Sequence, residues 1–335
     1  MVTVSPRGPL ARFLLLLLAL VLVVGACGTG LASTAPSGGS SPAGSGTCAT
    51  ATAPSSPPGW QTATGDPTIF PIMVSSEQVC GQNRFLFSLV GTDNLPVGSP
   101  TRSASVAFYN LGRDQANPVI IVESTFHWMI EGRTGLYVAN VTYPEAGEWG
   151  VEFRTAEGAG AAETIRARFE VRPKGTVPAI GTPAPSTKTQ TLADVGGDVK
   201  RISTDANPDP AFYQTSVDQA LAAHKPFVLI FATPAFCQTQ VCGPMLDQVK
   251  AVAKSHPDVT FINVEPYRLE FTGGRLQPVL DANNQLQPVQ AVLDYRLPAE
   301  PWAFVVDSKG IVRGSFEATI GADELNATLA QATGS

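Results

Sequence analysis

Residues 227–245 read FVLIFATPAFCQTQVCGPM, and most of what the chain suggests about itself radiates from this stretch. The run from Phe227 to Ala232 is continuously apolar and of strand length, the pattern of a central strand buried on both faces. A short polar loop then carries Phe236-Cys237, and four residues later comes Cys242-Gly243-Pro244-Met245. Helical periodicity follows over residues 245–255 and a second apolar strand over 259–264. Upstream, Ser216-Val217-Asp218-Gln219 has the spacing of a capping box, so a helix is expected over 217–223, stopped by Lys225-Pro226. In a regular helix, residues five apart point about 140° away from each other, too far apart to be bridged. If Cys237 and Cys242 pair, the segment between them is a loop or a distorted first turn.

Further on, Glu300-Pro301-Trp302 leads directly into an apolar strand at 303–307, a Ser308-Lys309-Gly310 turn, a strand at 311–317 and a helix over 322–332. Strand, aromatic-Cys, helix, strand, then Pro and a terminal hairpin with a helix: over residues 190–333 this order resembles thioredoxin-like proteins. The resemblance implies an α/β thioredoxin-like fold for residues 193–335 and a cis-proline at Pro301 facing the cysteines. It implies a thiol–disulfide oxidoreductase working through Cys237 and Cys242, with extracytoplasmic protein thiols and disulfides as partners and no cofactor. The motif departs from the family's Cys-x-x-Cys by two residues, and its register is open. Distance from the strand puts Cys237 in the attacking place, whereas Cys242-Gly-Pro-Met matches the family's local text; we prefer Cys237, which follows a loop and an aromatic. A thiolate near a helix N-terminus is stabilised by the aligned backbone donors, which suits a nucleophile. Phe236 and Trp302 flank the two motifs. No acid lies in the strand at 227–232, so proton handling falls to Glu265 or Tyr267 after the next strand, although a strand-end Glu is ordinarily solvated. The segment 266–300, with Arg268, Gly273-Gly274 and a helix expected over 288–295, is long for the family, and its earlier part is expected to lie beside the cysteine motif and shape partner choice.

Two other readings stand beside this one. Cys237 and Cys242 can form a structural bridge in a redox-inactive binding or scaffold lipoprotein, since an oxidising compartment favours any such pair. Copper handling of the Sco-like kind needs two cysteines and a distal His; His127 lies in the other expected domain, His224 and His256 flank expected helices where a surface role is more ordinary, and no metal site is assigned. A peroxidase reading fails on spacing, because Pro234 rather than Thr stands three residues before Cys237.

Before this region, period-two segments at 84–90, 103–109, 136–143, 148–154 and 164–171 argue for a β-sandwich over residues 60–173. The passage from Tyr137 through Pro144 and Gly147 to Trp149 and Val151 resembles the strand corner of immunoglobulin-like bacterial domains, with Trp149 as a core anchor. The fold class expected is thus two-domain: an all-β Ig-like sandwich followed by an α/β thioredoxin-like fold, joined by a linker at 174–192.

The N-terminus reads as targeting. Arg7 and Arg12 precede an apolar run at 13–24, about 20 Å of helix against a hydrocarbon core of about 30 Å. Val24-Gly25-Ala26-Cys27 resembles the lipobox of bacterial lipoproteins, which implies a signal peptide at 1–26, lipidation of Cys27 and anchoring of the chain to the cell membrane on its extracytoplasmic side. From Gly28 to Gly59 all residues but Leu31 and Cys48 are Gly, Ser, Thr, Ala or Pro. Residues 27–59 therefore read as a lipid-anchored tether. The five cysteines divide accordingly: Cys27 for lipid, Cys237 and Cys242 for redox chemistry, and Cys48 with Cys80 as a structural disulfide pinning the tether's end to the sandwich. With 22 Lys and Arg against 28 Asp and Glu and a net charge of −6, the chain lacks the basic footprint that nucleic-acid binding requires.

Overall fold

The computed structural model describes residues 48–49, 60 and 66–334. The expected signal peptide, Cys27 and nearly all of the expected tether lie outside the described residues. Eight strands come first: β1 (Ile69–Met73), β2 (Gly81–Gly91), β3 (Arg102–Asn110), β4 (Ile120–Glu123), β5 (Thr125–Ile130), β6 (Thr134–Tyr143), β7 (Gly147–Glu157) and β8 (Glu163–Val171). They form two four-stranded antiparallel sheets, β1-β2-β6-β5 and β4-β3-β7-β8. Alternation sends Phe85, Phe87 and Leu89 of β2 inward to meet Phe108, Val151 and Phe153 of the other sheet. The Phe85 and Phe108 rings meet edge to face at 5.0 Å. At the β6–β7 turn Gly147 has φ 132°, a conformation that L side chains rarely adopt. Just beyond it Trp149 is fully buried and donates from Nε1 to the Glu145 carbonyl at 3.2 Å.

The second half builds a mixed sheet from β9 (Phe227–Phe231), β10 (Thr260–Val264), β13 (Trp302–Val306) and β14 (Val312–Glu317), in the order β10-β9-β13-β14. β9 and β10 run parallel, and the other pairs are antiparallel. Helices α2 (Cys242–Ala253) and α4 (Ala322–Thr333) cover the face that carries Val228, Ile230 and Phe261. The shorter α1 (Val217–Ala222) and α3 (Gln290–Tyr295) cover the face of Phe227, Leu229 and Phe304. β9 is entirely buried because both faces are covered. A hairpin, β11 (Leu269–Thr272) and β12 (Arg275–Pro278), turns at Gly273 and Gly274, both at positive φ.

The expected fold class, an Ig-like sandwich followed by a thioredoxin-like α/β domain, is corrected by this arrangement. The described chain is β-rich: fourteen strands in four sheets, against four α-helices of which α1 and α3 have only six residues each. Where the second domain was expected to open, three short 3-10 turns (Leu192–Val195, Val199–Arg201 and Pro210–Tyr213) take the place of regular strand and helix, and β11 and β12 add a further sheet. The described residues all belong to one compact unit, Ala43–Ser335. Arg84 on β2 pairs with Glu324 on α4 at 2.9 Å and lies over the Phe316 ring of β14, while Glu317 accepts from the Ser76 backbone. Residues 174–192 lie packed: Ala184 N donates to the Gly310 carbonyl, and Thr187, Thr189 and Thr191 are buried.

Candidate functional site

Beyond β9 the buried strand continues through Ala232 and Thr233, then the chain turns outward through half-buried Phe236 and Cys237. A disulfide joins Cys237 to Cys242 across a Cα–Cα distance of 6.0 Å, within the range a disulfide spans. The helical objection to pairing residues five apart is met because Cys237 lies in the loop and α2 starts only at Cys242, with Gln240 between them in the left-handed region at φ 63°. The helix begins three residues earlier than its periodicity suggests.

The two sulfurs have unlike surroundings. Cys242 is completely buried among the α2 and α4 side chains, whereas Cys237 is half-exposed. The Cys242 backbone N–H, one of the donors left free at a helix start, points at Cys237 Sγ from 3.3 Å, and Thr239 Oγ1 lies 3.4 Å from the same sulfur. A negative charge developing on Cys237 is therefore met by a helix N-terminus.

The Glu300–Pro301 peptide is cis. Trp302 pairs with Phe231, so the same ladder extended by one step sets Pro301 level with Ala232, at the end of β9 that feeds the cysteine loop. Trp302 itself is buried on the opposite face, among the α1 and α3 side chains, with Nε1 donating to Ser315 Oγ at 2.9 Å. It is not brought to the cysteines. Tyr267 donates to Glu300 Oε2 at 2.7 Å, and burial together with Glu300 raises its pKa.

Glu265, expected in solvent at the end of its strand, is 9% exposed. It follows β10 on the face of Phe261, the face that α2 and Cys242 cover. Its Oε1 accepts from Thr204 N at 2.6 Å and from Thr204 Oγ1 at 2.8 Å, and Thr204 Oγ1 in turn accepts from Ala235 N in the cysteine loop. Burial pushes its pKa up to about 7, against the Thr204 hydrogen bonds and a nearby Thr233 hydroxyl that favour the charged form. Neither Glu265 Oε2 nor the Thr233 hydroxyl completes a well-formed hydrogen bond among the described residues. Thr204 has no sequence signal of its own; Asn263, a polar residue inside an apolar strand, was a signal that could have been read.

The second disulfide joins Cys48 to Cys80 and holds Ala49 where its carbonyl accepts from Ala146 N at 3.0 Å. Two disulfides fit an extracytoplasmic chain. Among the described residues no helix is long and apolar enough to cross a membrane, and no group of three His, Cys, Asp or Glu gathers in a way that could hold a metal. His127 lies near Glu324, His256 meets Asn326 at 2.8 Å, and His224 sits at the end of α1.

No protein-family model matches the sequence, and no curated protein matches it. Among solved structures, a DUF4426 family protein from Pseudomonas aeruginosa is 12% identical over 32% of this chain and 91% of that one, with a TM-score of 0.23. A putative glycoside hydrolase from Bacteroides vulgatus is 16% identical over 64% of this chain and 35% of that one, with a TM-score of 0.24. Likeness at this level carries no argument about function.

Proposed function

We propose that the chain is a membrane-tethered extracytoplasmic thiol–disulfide oxidoreductase whose exchanging bond is Cys237–Cys242. The observation that carries this reading is the asymmetry of the pair: Cys237 is half-exposed in a loop with its sulfur facing a helix N-terminus, and Cys242 is fully buried. A thiolate of a partner protein attacks Cys237 Sγ. The partner S–S bond to Cys237 forms as the Cys237–Cys242 bond breaks, and its electron pair leaves on Cys242. A second partner thiolate then attacks the partner sulfur and releases Cys237 as a thiolate, so two thiols become one disulfide and the protein is reduced. The reverse sequence reduces a partner disulfide, and the relative potentials decide the direction. Glu265, with its pKa near neutrality and its hydrogen-bonded link to the cysteine loop, is suited to supply and take back the proton that Cys242 needs. Phe236 and Pro301 flank the exposed sulfur's end of the sheet, where a partner polypeptide docks.

A redox titration with thiol trapping tests the reading. Structural bridges lie below about −300 mV, so a working pair is reduced in a buffer poised at about −280 mV. A pair still oxidised there makes the loop the structural bridge of a binding lipoprotein instead. The tether is part of the proposal: lipidation at Cys27 holds the folded part at the membrane surface, and Cys27→Ser is expected to move the protein from the membrane fraction to the soluble one. Unchanged fractionation counts against the anchor.

A further inference from the structure

Along β10, an edge strand of its sheet, lies a cavity of about 770 Å3. It opens between the segment at 188–202, the end of β10, the β11–β12 hairpin and the start of α3. That volume falls within the roughly 300–1,000 Å3 of small-molecule sites. Its lining includes the buried apolar residues Ile202, Val264, Leu276 and Ala291, with Phe271 and Val289 half-buried beside them. Asn263 and Glu265 also border it, but their side chains are spent on the protein: Asn263 Nδ2 donates to the Tyr213 hydroxyl, and Glu265 Oε1 accepts from Thr204. The charge that a ligand can reach lies at the mouth.

Five exposed charged residues stand there: Lys188, Asp194, Asp198, Arg201 and Arg268. Both acids already have their counterparts. Asp194 accepts from Thr191 N and Oγ1 and feels the charge of Lys188, all of which favour its ionised form, and Asp198 accepts from Lys200 N. The two arginines have none. The Arg201 guanidinium lies over the Phe271 ring at 4.8 Å, and Arg268 donates from Nη1 to Gln287 Oε1 at 3.0 Å; among the described residues neither joins an ion pair. A guanidinium carries five N–H donors, so Arg268 has spent one on an oxygen and Arg201 none. The chain as a whole has a net charge of −6, which makes two uncompensated guanidinium groups on one partly apolar cavity a local reversal of its field.

We propose that this cavity binds a small organic acid with an apolar body, its carboxylate held by Arg201 and Arg268 and its aryl or alkyl chain laid against Phe271, Val264 and Leu276. The planar guanidinium fork matches a carboxylate with two parallel hydrogen bonds, and it is weakly enough hydrated to give up water at such a site. Arg201 is held by the ring beneath it and Arg268 by Gln287, so less side-chain freedom is lost when the anion arrives. The apolar lining supplies the rest of the affinity and selects against small, fully hydrated anions. The site uses neither Cys237 nor Cys242 and does not depend on the redox reading.

Titration calorimetry on the full-length protein tests this with 4-phenylbutyrate, its neutral isostere 4-phenylbutyramide, and acetate. The phenylbutyrate is expected to bind, with the amide and acetate each at least about tenfold weaker. Replacing Arg201 and Arg268 together by Gln is expected to weaken phenylbutyrate by about tenfold or more, whereas Arg275→Gln, on the same hairpin but outside the lining, leaves it unchanged. Absence of phenylbutyrate binding up to about 5 mM overturns the proposal. So does equal affinity for the amide or for acetate, or full affinity in an Arg201→Gln, Arg268→Gln protein whose circular dichroism is native. An equal loss in Arg275→Gln also overturns it, by showing attraction to the general charge of the surface and not to this cavity.

Discussion

Cys48–Cys80 closes a sequence separation of 32 residues, and Cys237–Cys242 one of five. In the chain-entropy account, a bridge stabilises by what it denies the unfolded chain, giving about 4 kcal/mol for the long closure and about 2 kcal/mol for the short one at 25 °C. The surroundings differ in the same sense. The long bridge ties the residues at 48–49 to the β6–β7 turn and the start of β2, with Cys80 N bonded to the Arg172 carbonyl. The short bridge ends on a helix start, joins a buried cysteine to a half-exposed one, and lies over the face that carries Glu265. One disulfide is placed where chain closure contributes most to folding, the other where it contributes least.

The contrast breaks most readily at Cys237. Cys237→Ser is expected to lower the rate of exchange with a thiol substrate by about a hundredfold or more, because the remaining sulfur is inaccessible. Cys242→Ser, in contrast, should accumulate a mixed disulfide at Cys237, visible by mass. Equal trapping at both positions would show that the asymmetry of exposure has no chemical consequence. Next in size, replacing Cys48 and Cys80 together by Ala should lower the free energy of urea unfolding by about 4 kcal/mol while the exchange rate stays as it was. Replacing Cys237 and Cys242 together should cost only about 2 kcal/mol. If the two double variants lose equal stability, closure length is not what separates the bridges.

What could be read in the sequence was local. The apolar run at 227–232, the Ser216–Gln219 capping box with its 3.0 Å return bond, and the Gly310 turn all report on residues within a few positions, and each element is present. β4 and β5 were not legible, because they are short, carry no fully buried residue and depend on pairing with β3 and β6. The fold class failed for a related reason. Helical periodicity marked α2 and α4 but not how little helix surrounds them, and the packing of residues 174–192 against the Gly310 turn and β14 involves partners more than a hundred positions away. At the site, the cysteines were legible and the burial of Glu265 was not, since the residue that covers it, Thr204, is 61 positions earlier.

That burial supplies the one expected effect that varies with pH, and a further separation of the two bridges. Glu265 has its pKa raised to about 7 in the folded chain against an ordinary value of 4.5. A carboxyl raised in this way favours folding when protonated, so its contribution is greatest below about pH 4.5, declines as pH rises to about 7, and is absent above that. The span corresponds to roughly 3 kcal/mol, as an order of magnitude. Glu265→Gln should therefore stabilise the protein by about that amount at pH 8 and by little at pH 5, measured by urea unfolding. If Glu265 also handles the Cys242 proton, the same variant flattens the dependence of thiol-exchange rate on pH between about 6 and 8, whereas in the Cys48→Ala, Cys80→Ala protein that dependence persists unchanged. A stability shift at pH 8 with an unaltered rate profile would leave Glu265 a buried acid of the fold and remove it from the exchange chemistry.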